Sequence, residues 1–256
     1  MNPLRRPLIA GNWKMFHGGR TSVELASGVV AFAKDLPGVH VVVAPPFTAL
    51  AAVAETIDGS PVKLAAQNLY PKDSGAFTGE VSAPFLVECG CAWGIVGHSE
   101  RRQYFAESDA FVAEKTAAAL AHDLLPIVCV GETLAQRESG ETLAVVKRQV
   151  DAFLDVIART KHDVAIAYEP VWAIGTGKNA GPAEAEEVHA AIRTWLKGKD
   201  EDLAKRTRIL YGGSVKPDNA AALLGCPNVD GALVGGASLD AASFGAIAKA
   251  AVQKAS

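Results

Sequence analysis

Residues 164–170 read VAIAYEP: a short apolar run, then Glu169, then Pro170. The run is small and branched and shows no strict alternation, which is the pattern of a parallel strand covered on both faces. The next residues, VWAIGTGK over 171–178, are small, carry two glycines and hold their one charge at the end. A lone carboxylate is therefore expected at the edge of a core, immediately before a loop.

Seven more runs of the same kind occur: PLIAGNW, HVVVAPP, KLAAQNL, WGIVGHS, LPIVCVGE, RILYGGS and GALVGGAS. Longer amphipathic stretches with helix-start chemistry separate them. Thr21 with Glu24, and Thr133 with Gln136, have the spacing of a capping box, in which hydroxyl and N3 side chain satisfy each other's backbone N–H. Pro182 and Pro217 suit first turns, where a missing N–H costs little. Glu184, Glu186 and Glu187 favour the positive end of a helix dipole. Eight strand–helix units in 256 residues predict an α/β fold: a closed (β/α)8 barrel of parallel strands ringed by helices, one domain over residues 1–256. The rival, a doubly wound open sheet, usually shows a glycine fingerprint after its first strand, and GNWKM is not G-x-G-x-x-G.

Bulk properties narrow the function. The 25 basic and 28 acidic side chains leave a net charge of −3 and are interspersed, with no basic stripe to bind nucleic acid. Residues 36–54 lack Asp, Glu, Lys and Arg, but Pro37, Gly38, Pro45 and Pro46 divide them into a strand and a helix rather than a membrane span. The opening MNPLRRPLIAGNWK does not have the pattern of a signal peptide. Cys89, Cys91, Cys129 and Cys226 lack zinc spacing and read as free thiols, so a cytoplasmic protein is expected.

A barrel gathers its strand C-termini on one rim. Here they carry Asn12 and Lys14, His98, Glu169, the Gly212-Gly213-Ser214 turn and Gly235-Gly236. Any one of these has an ordinary structural explanation, a solvated lysine or a turn glycine, but their sharing one rim argues for a site. No HExxH or acidic metal cage appears, so no metal and no cofactor is expected. GTGK at 175–178 fails as a P-loop because Trp172 replaces the required glycine, and G-x-S-x-G is absent. Acid–base chemistry by Glu169 and His98 is the simplest proposal left. The glycine turns after strands seven and eight offer backbone N–H groups to an anion, as expected for a small phosphorylated substrate.

The segments AGNWKM, APPF, AQN, SGAFTGE, VGHSERR, CVGE, AYEPVWAIGTGK, LYGGSV and LVGGASL resemble the triosephosphate isomerase family, in the family's order and across nearly the whole chain. The resemblance implies interconversion of dihydroxyacetone phosphate and D-glyceraldehyde 3-phosphate through an enediolate, in glycolysis and gluconeogenesis. Glu169 would be the base, and His98 a neutral electrophile at the positive end of a short helix, which disfavours imidazolium. Lys14 would add positive charge, paired with Glu100, and Asn12 a hydrogen bond. Gly175, Ser214, Gly235 and Gly236 would contact the phosphate. Cys129 would support the base by packing.

By the same resemblance Pro170, Val171, Trp172, Ala173, Ile174, Gly175, Thr176, Gly177 and Lys178 would form a lid that excludes water. The long Gln67–Glu80 loop would insert into a second subunit, bringing Thr78 near the partner's Asn12 and Lys14 in a homodimer. Two departures stand beside the site: Phe16, where the family often has a polar residue, and Ala106, where glycine is common. The rivals are a barrel isomerase acting on a larger phosphorylated substrate, a non-catalytic barrel scaffold or binder, and a glycosidase pairing Glu132 with Glu169.

Overall fold

The computed structural model describes residues 5–173 and 180–255. Its eight strands are β1 Leu8–Asn12, β2 His40–Ala44, β3 Lys63–Ala66, β4 Cys91–Val96, β5 Leu125–Val130, β6 Ala165–Tyr168, β7 Arg208–Tyr211 and β8 Gly231–Val234. They pair in sequence order, and β8 returns to β1, closing the barrel with every pairing parallel. Seven of them lie within the apolar runs of the sequence, and β4 starts two residues before its run, at Cys91.

Strand alternation explains how the rim is equipped. Leu8 and Ala10 of β1, Ala165 and Ala167 of β6, and Leu233 of β8 share the core inside the barrel. Their neighbours Ile9, Ile166 and Tyr168 belong to the second core, between strands and helices. Continuing the inward parity by one step, at a period of two, reaches Asn12, Glu169 and Gly235. The residues that seal the barrel axis thus lead directly to the polar residues that cap it.

The surrounding helices are α1 Arg20–Ala33, α2 Leu50–Ile57, α3 Ala83–Glu88, α4 Ser99–Phe105, α5 Asp109–Ala121, α6 Leu134–Glu138, α7 Thr142–Ala158, α8 Pro182–Lys199, α9 Glu201–Arg206, α10 Ala220–Leu224 and α11 Ala241–Ala255. The Thr133–Gln136 capping box forms at α6, and Pro182 opens α8. Two expected helix starts are corrected. Gly19, at φ 58, begins α1 before Thr21, whose hydroxyl instead donates to the Gly18 carbonyl at 3.0 Å. Pro217 lies in a turn ahead of α10, closed by the Lys216 N–H on Asn219 Oδ1 at 2.8 Å. Of the three glutamates near the start of α8, Glu184 lies in its first turn. Glu186 accepts from the Asn228 backbone and side chain at 3.0 and 2.6 Å.

Ala106 terminates α4 in the left-handed region, at φ 53, and its N–H donates to the Arg101 carbonyl. That conformation is where a helix prefers glycine, which gives the departure a physical meaning. Between β3 and α3, the Tyr70 N–H donates to the Val81 carbonyl at 2.8 Å, while residues 72–80 stand exposed. Among the described residues no helix is long and apolar enough to cross a membrane.

Candidate active site

A cavity of about 830 Å³ opens at the C-terminal rim, lined among others by Asn12, Lys14, His98, Glu169, Ser214 and Gly235. Gly236 lines it too. Residues from five separate segments of the chain therefore face one space. Gly175 and the expected lid from Ile174 to Lys178 lie outside the described residues.

Glu169 is almost wholly buried, with 2% of its surface exposed. Its backbone N–H donates to the Val130 carbonyl at 2.7 Å, which anchors it on β5. Its carboxylate faces two donors: His98 Nε2 lies 2.9 Å from Oε1, and the Ser99 N–H donates to Oε2 at 2.9 Å. Burial alone would raise this carboxyl's pKa. The His98 charge and hydrogen bond, the Ser99 N–H and the nearby Lys14 outweigh it and hold the group below its ordinary value.

His98 is the N-cap of α4, and its Nδ1 accepts from the Glu100 N–H at 3.2 Å. That bond occupies the Nδ1 lone pair and assigns the ring proton to Nε2, which donates to Glu169. Burial disfavours imidazolium, but the adjacent Glu169 carboxylate prevails and raises the His98 pKa in this arrangement. Glu169 is thus the chief group favouring the charged ring, while burial and Lys14 oppose it.

Lys14 sits at the positive backbone angle φ 50, a conformation that costs a non-glycine residue about 1–2 kcal/mol. Three contacts hold it there. Its N–H donates to Asn12 Oδ1 at 3.0 Å, its carbonyl accepts from Gln67 Nε2 at 2.7 Å, and its ammonium donates to Glu100 Oε1 at 2.6 Å. Gln67 Nε2 also donates to the Ala44 carbonyl at 2.8 Å, tying β1 to β2. In the sequence Gln67 falls in the third apolar run and at the start of the long loop, with no role of its own assigned. The available signal was its place at the end of the third strand, on the rim that selected the other residues.

Glu132 is fully buried, and its Oε1 accepts from Tyr168 Oη at 3.1 Å and Trp172 Nε1 at 2.8 Å. It secures the chain just after Glu169 and is not among the residues lining the rim cavity, so nothing supports a two-carboxylate glycosidase. Cys129 is buried. Burial pushes its thiol well above the ordinary value, and the adjacent Glu169 carboxylate adds to the shift. A thiol in that state is a poor nucleophile. Thr78 lies exposed on the loop after β3, and Phe16 is exposed beside the cavity it helps to line.

The sequence profile of the triosephosphate isomerase family matches residues 7–251. The chain is 56% identical over 243 residues to the triosephosphate isomerase of Chloroflexus aurantiacus, covering 94% of this chain and 97% of the relative. It is 54% identical over 248 residues to that of Moorella thermoacetica, covering 95% and 98%. With the Rhodopirellula baltica enzyme of the same name it shares 53% over 249 residues, covering 96% and 98%. With a closed eight-stranded barrel, a buried carboxylate–imidazole pair on its rim and matches that span both chains, the protein belongs to the triosephosphate isomerase family.

Proposed function

We propose that this chain, acting as one barrel domain, interconverts dihydroxyacetone phosphate and D-glyceraldehyde 3-phosphate by moving a proton between adjacent carbons. The observation that carries the proposal is the 2.9 Å approach of His98 Nε2 to Glu169 Oε1. At rest these groups satisfy each other. When the carboxylate turns toward a substrate carbon, it leaves both His98 and the Ser99 N–H. Burial then becomes the dominant influence on it, and its basicity rises. The same displacement frees the Nε2 proton to polarise a substrate oxygen. It also removes the charge that favours imidazolium, so the ring donates as a neutral acid.

The remaining steps follow from position. Glu169 takes a carbon-bound proton and creates an enediolate, whose oxygens face the His98 Nε2–H and the Lys14 ammonium. Fixed donors aimed at developing charge inside a low-dielectric site lower the barrier without reorganising. The proton held by Glu169 exchanges in part with solvent while the enediolate persists, and the carboxyl then protonates the neighbouring carbon. The phosphate is assigned to the turns at Ser214 and at Gly235–Gly236, which line the same cavity.

Two further assignments belong to the proposal. Met15, Phe16, Phe77, Tyr104 and Phe105 are all exposed, and with the exposed 72–80 segment they favour a homodimer in which Thr78 approaches the partner subunit. Sedimentation at micromolar concentration checks this. Four free cysteines favour a reducing compartment, and we assign the protein to the cytoplasm, in glycolysis and gluconeogenesis.

The test of the reaction is a coupled assay with D-glyceraldehyde 3-phosphate, with no added metal, comparing the parent with Glu169→Ala. Turnover that collapses in the variant supports the reaction and its base together. A folded but inactive parent overturns the proposal in favour of a scaffold or binder.

A further inference from the structure

The ladder between β4 and β5 ends at Val96 and Val128. The next residues on the two strands matter most to the chemistry: Gly97 precedes His98, and Cys129 packs beside Glu169. One side chain spans the gap between them. Arg102, on α4, donates from Nε to the Gly97 carbonyl at 2.8 Å and from Nη2 to the Cys129 carbonyl at 3.2 Å. Its third nitrogen, Nη1, donates to Asp109 Oδ1 at 2.6 Å, at the start of α5. The other Asp109 oxygen accepts from Arg148 Nε on α7 at 3.0 Å.

The local backbone is shaped to accept this side chain. Gly97 has φ 68, which turns the chain out of the ladder after β4. A Cβ at that position would stand 2.8 Å from Val112 and 3.2 Å from Arg102 Nη2, so glycine permits the arginine to lie against the strand end. A planar fork with fixed donor directions can serve three acceptors on three elements at once. A lysine ammonium also has three donors, but they diverge from a single atom and do not match acceptors spread in this way.

We infer that Arg102 is a positioning residue for the proposed isomerisation, bracketing the ends of β4 and β5 so that His98 Nε2 and Glu169 meet in the right line. The inference rests on the function proposed above. Arg102 is absent from the lining of the 830 Å³ rim cavity, so its contribution falls on turnover rather than on substrate binding.

The experiment measures kcat and KM for D-glyceraldehyde 3-phosphate in full-length parent, Arg102→Ala and Arg102→Lys. Each is assayed with and without millimolar guanidinium, and folding is followed by circular dichroism and Tm. The expected result is a roughly ten- to hundredfold lower kcat in Arg102→Ala with KM changed by less than about twofold. Guanidinium should restore part of that kcat, while Arg102→Lys should remain impaired despite keeping its charge and fold. An Arg102→Ala kcat equal to the parent's overturns the inference. So does a kcat loss that only tracks the unfolded fraction and does not respond to guanidinium. An inactive parent defeats the isomerase proposal itself, and this inference with it, which separates the two failures.

Discussion

Replacing Gln67 by Leu keeps most of the side-chain bulk and removes the amide that donates to the Lys14 and Ala44 carbonyls at 2.7 and 2.8 Å. Each bond contributes about 1 kcal/mol net, so stability should fall by about 2 kcal/mol, or roughly 4–8 °C in Tm for a chain of this size. The larger consequence concerns Lys14, which holds its positive φ partly because Gln67 fixes its carbonyl. Freed from that restraint, the backbone can relax and carry the ammonium away from the oxygen it is proposed to face. Withdrawal from about 3 to about 4 Å costs about 1.4 kcal/mol at an effective dielectric of about 20, close to tenfold in rate. Steady-state kinetics on the folded variant should therefore show kcat/KM lower by about an order of magnitude. A Tm that falls as expected while kcat/KM stays within about twofold of the parent would refute the reasoning. Asn12 and Glu100 would then suffice to seat Lys14.

Three other outcomes test separate parts of the account. Burial and the Arg208 guanidinium, which donates to Nδ1 at 2.9 Å, hold His40 below its ordinary 6.5. As pH falls below 6.5 the unfolded chain takes up this proton first, so stability is lost toward the lower folded value. Urea unfolding at several pH values should show that slope, and His40→Gln should flatten it. At Gly131 an added Cβ would run into the Glu169 carbonyl. Gly131→Ala should cut kcat by about a hundredfold, and normal turnover would mean the β5 rim yields easily. Ala106→Gly places a permissive residue at φ 53 and should gain about 1 kcal/mol. A thermal melt showing a lower Tm would contradict the assignment of strain there.

Much of this architecture was legible because parallel strands covered on both faces leave an unmistakable record in short apolar runs. Strand alternation then carries the inward parity of Ala165 and Ala167 to Glu169, and that of Leu8 and Ala10 to Asn12, so the rim follows from the same signal as the core. What escaped depends on partners far apart in sequence. Gln67 reaches back 53 residues to the Lys14 carbonyl, and the Ser99 N–H reaches 70 residues forward to Glu169. A strand-end position places such a residue on the rim, but no local pattern names the partner that a backbone donor or a bridging amide will find. The Thr21–Glu24 spacing misled for the opposite reason: a motif was present, but the positive φ of Gly19 moved the helix start ahead of it. Ala106 shows the intermediate case, in which the sequence flagged an odd residue and only the backbone angle explains it.

In the proposed reaction Glu169 moves a proton between adjacent carbons through an enediolate, and isomerisation of dihydroxyacetone phosphate in D2O reports on that step. Product would be trapped by coupled oxidation and weighed by mass spectrometry, for the parent and for Glu169→Gln. The account predicts solvent deuterium on the carbon beside the new aldehyde in the parent product. It also predicts that turnover and labelling fall together by about a thousandfold in the variant. Product with no solvent deuterium at that carbon would indicate direct hydride migration, and undiminished labelling in Glu169→Gln would place the base elsewhere. Either result would contradict the mechanism.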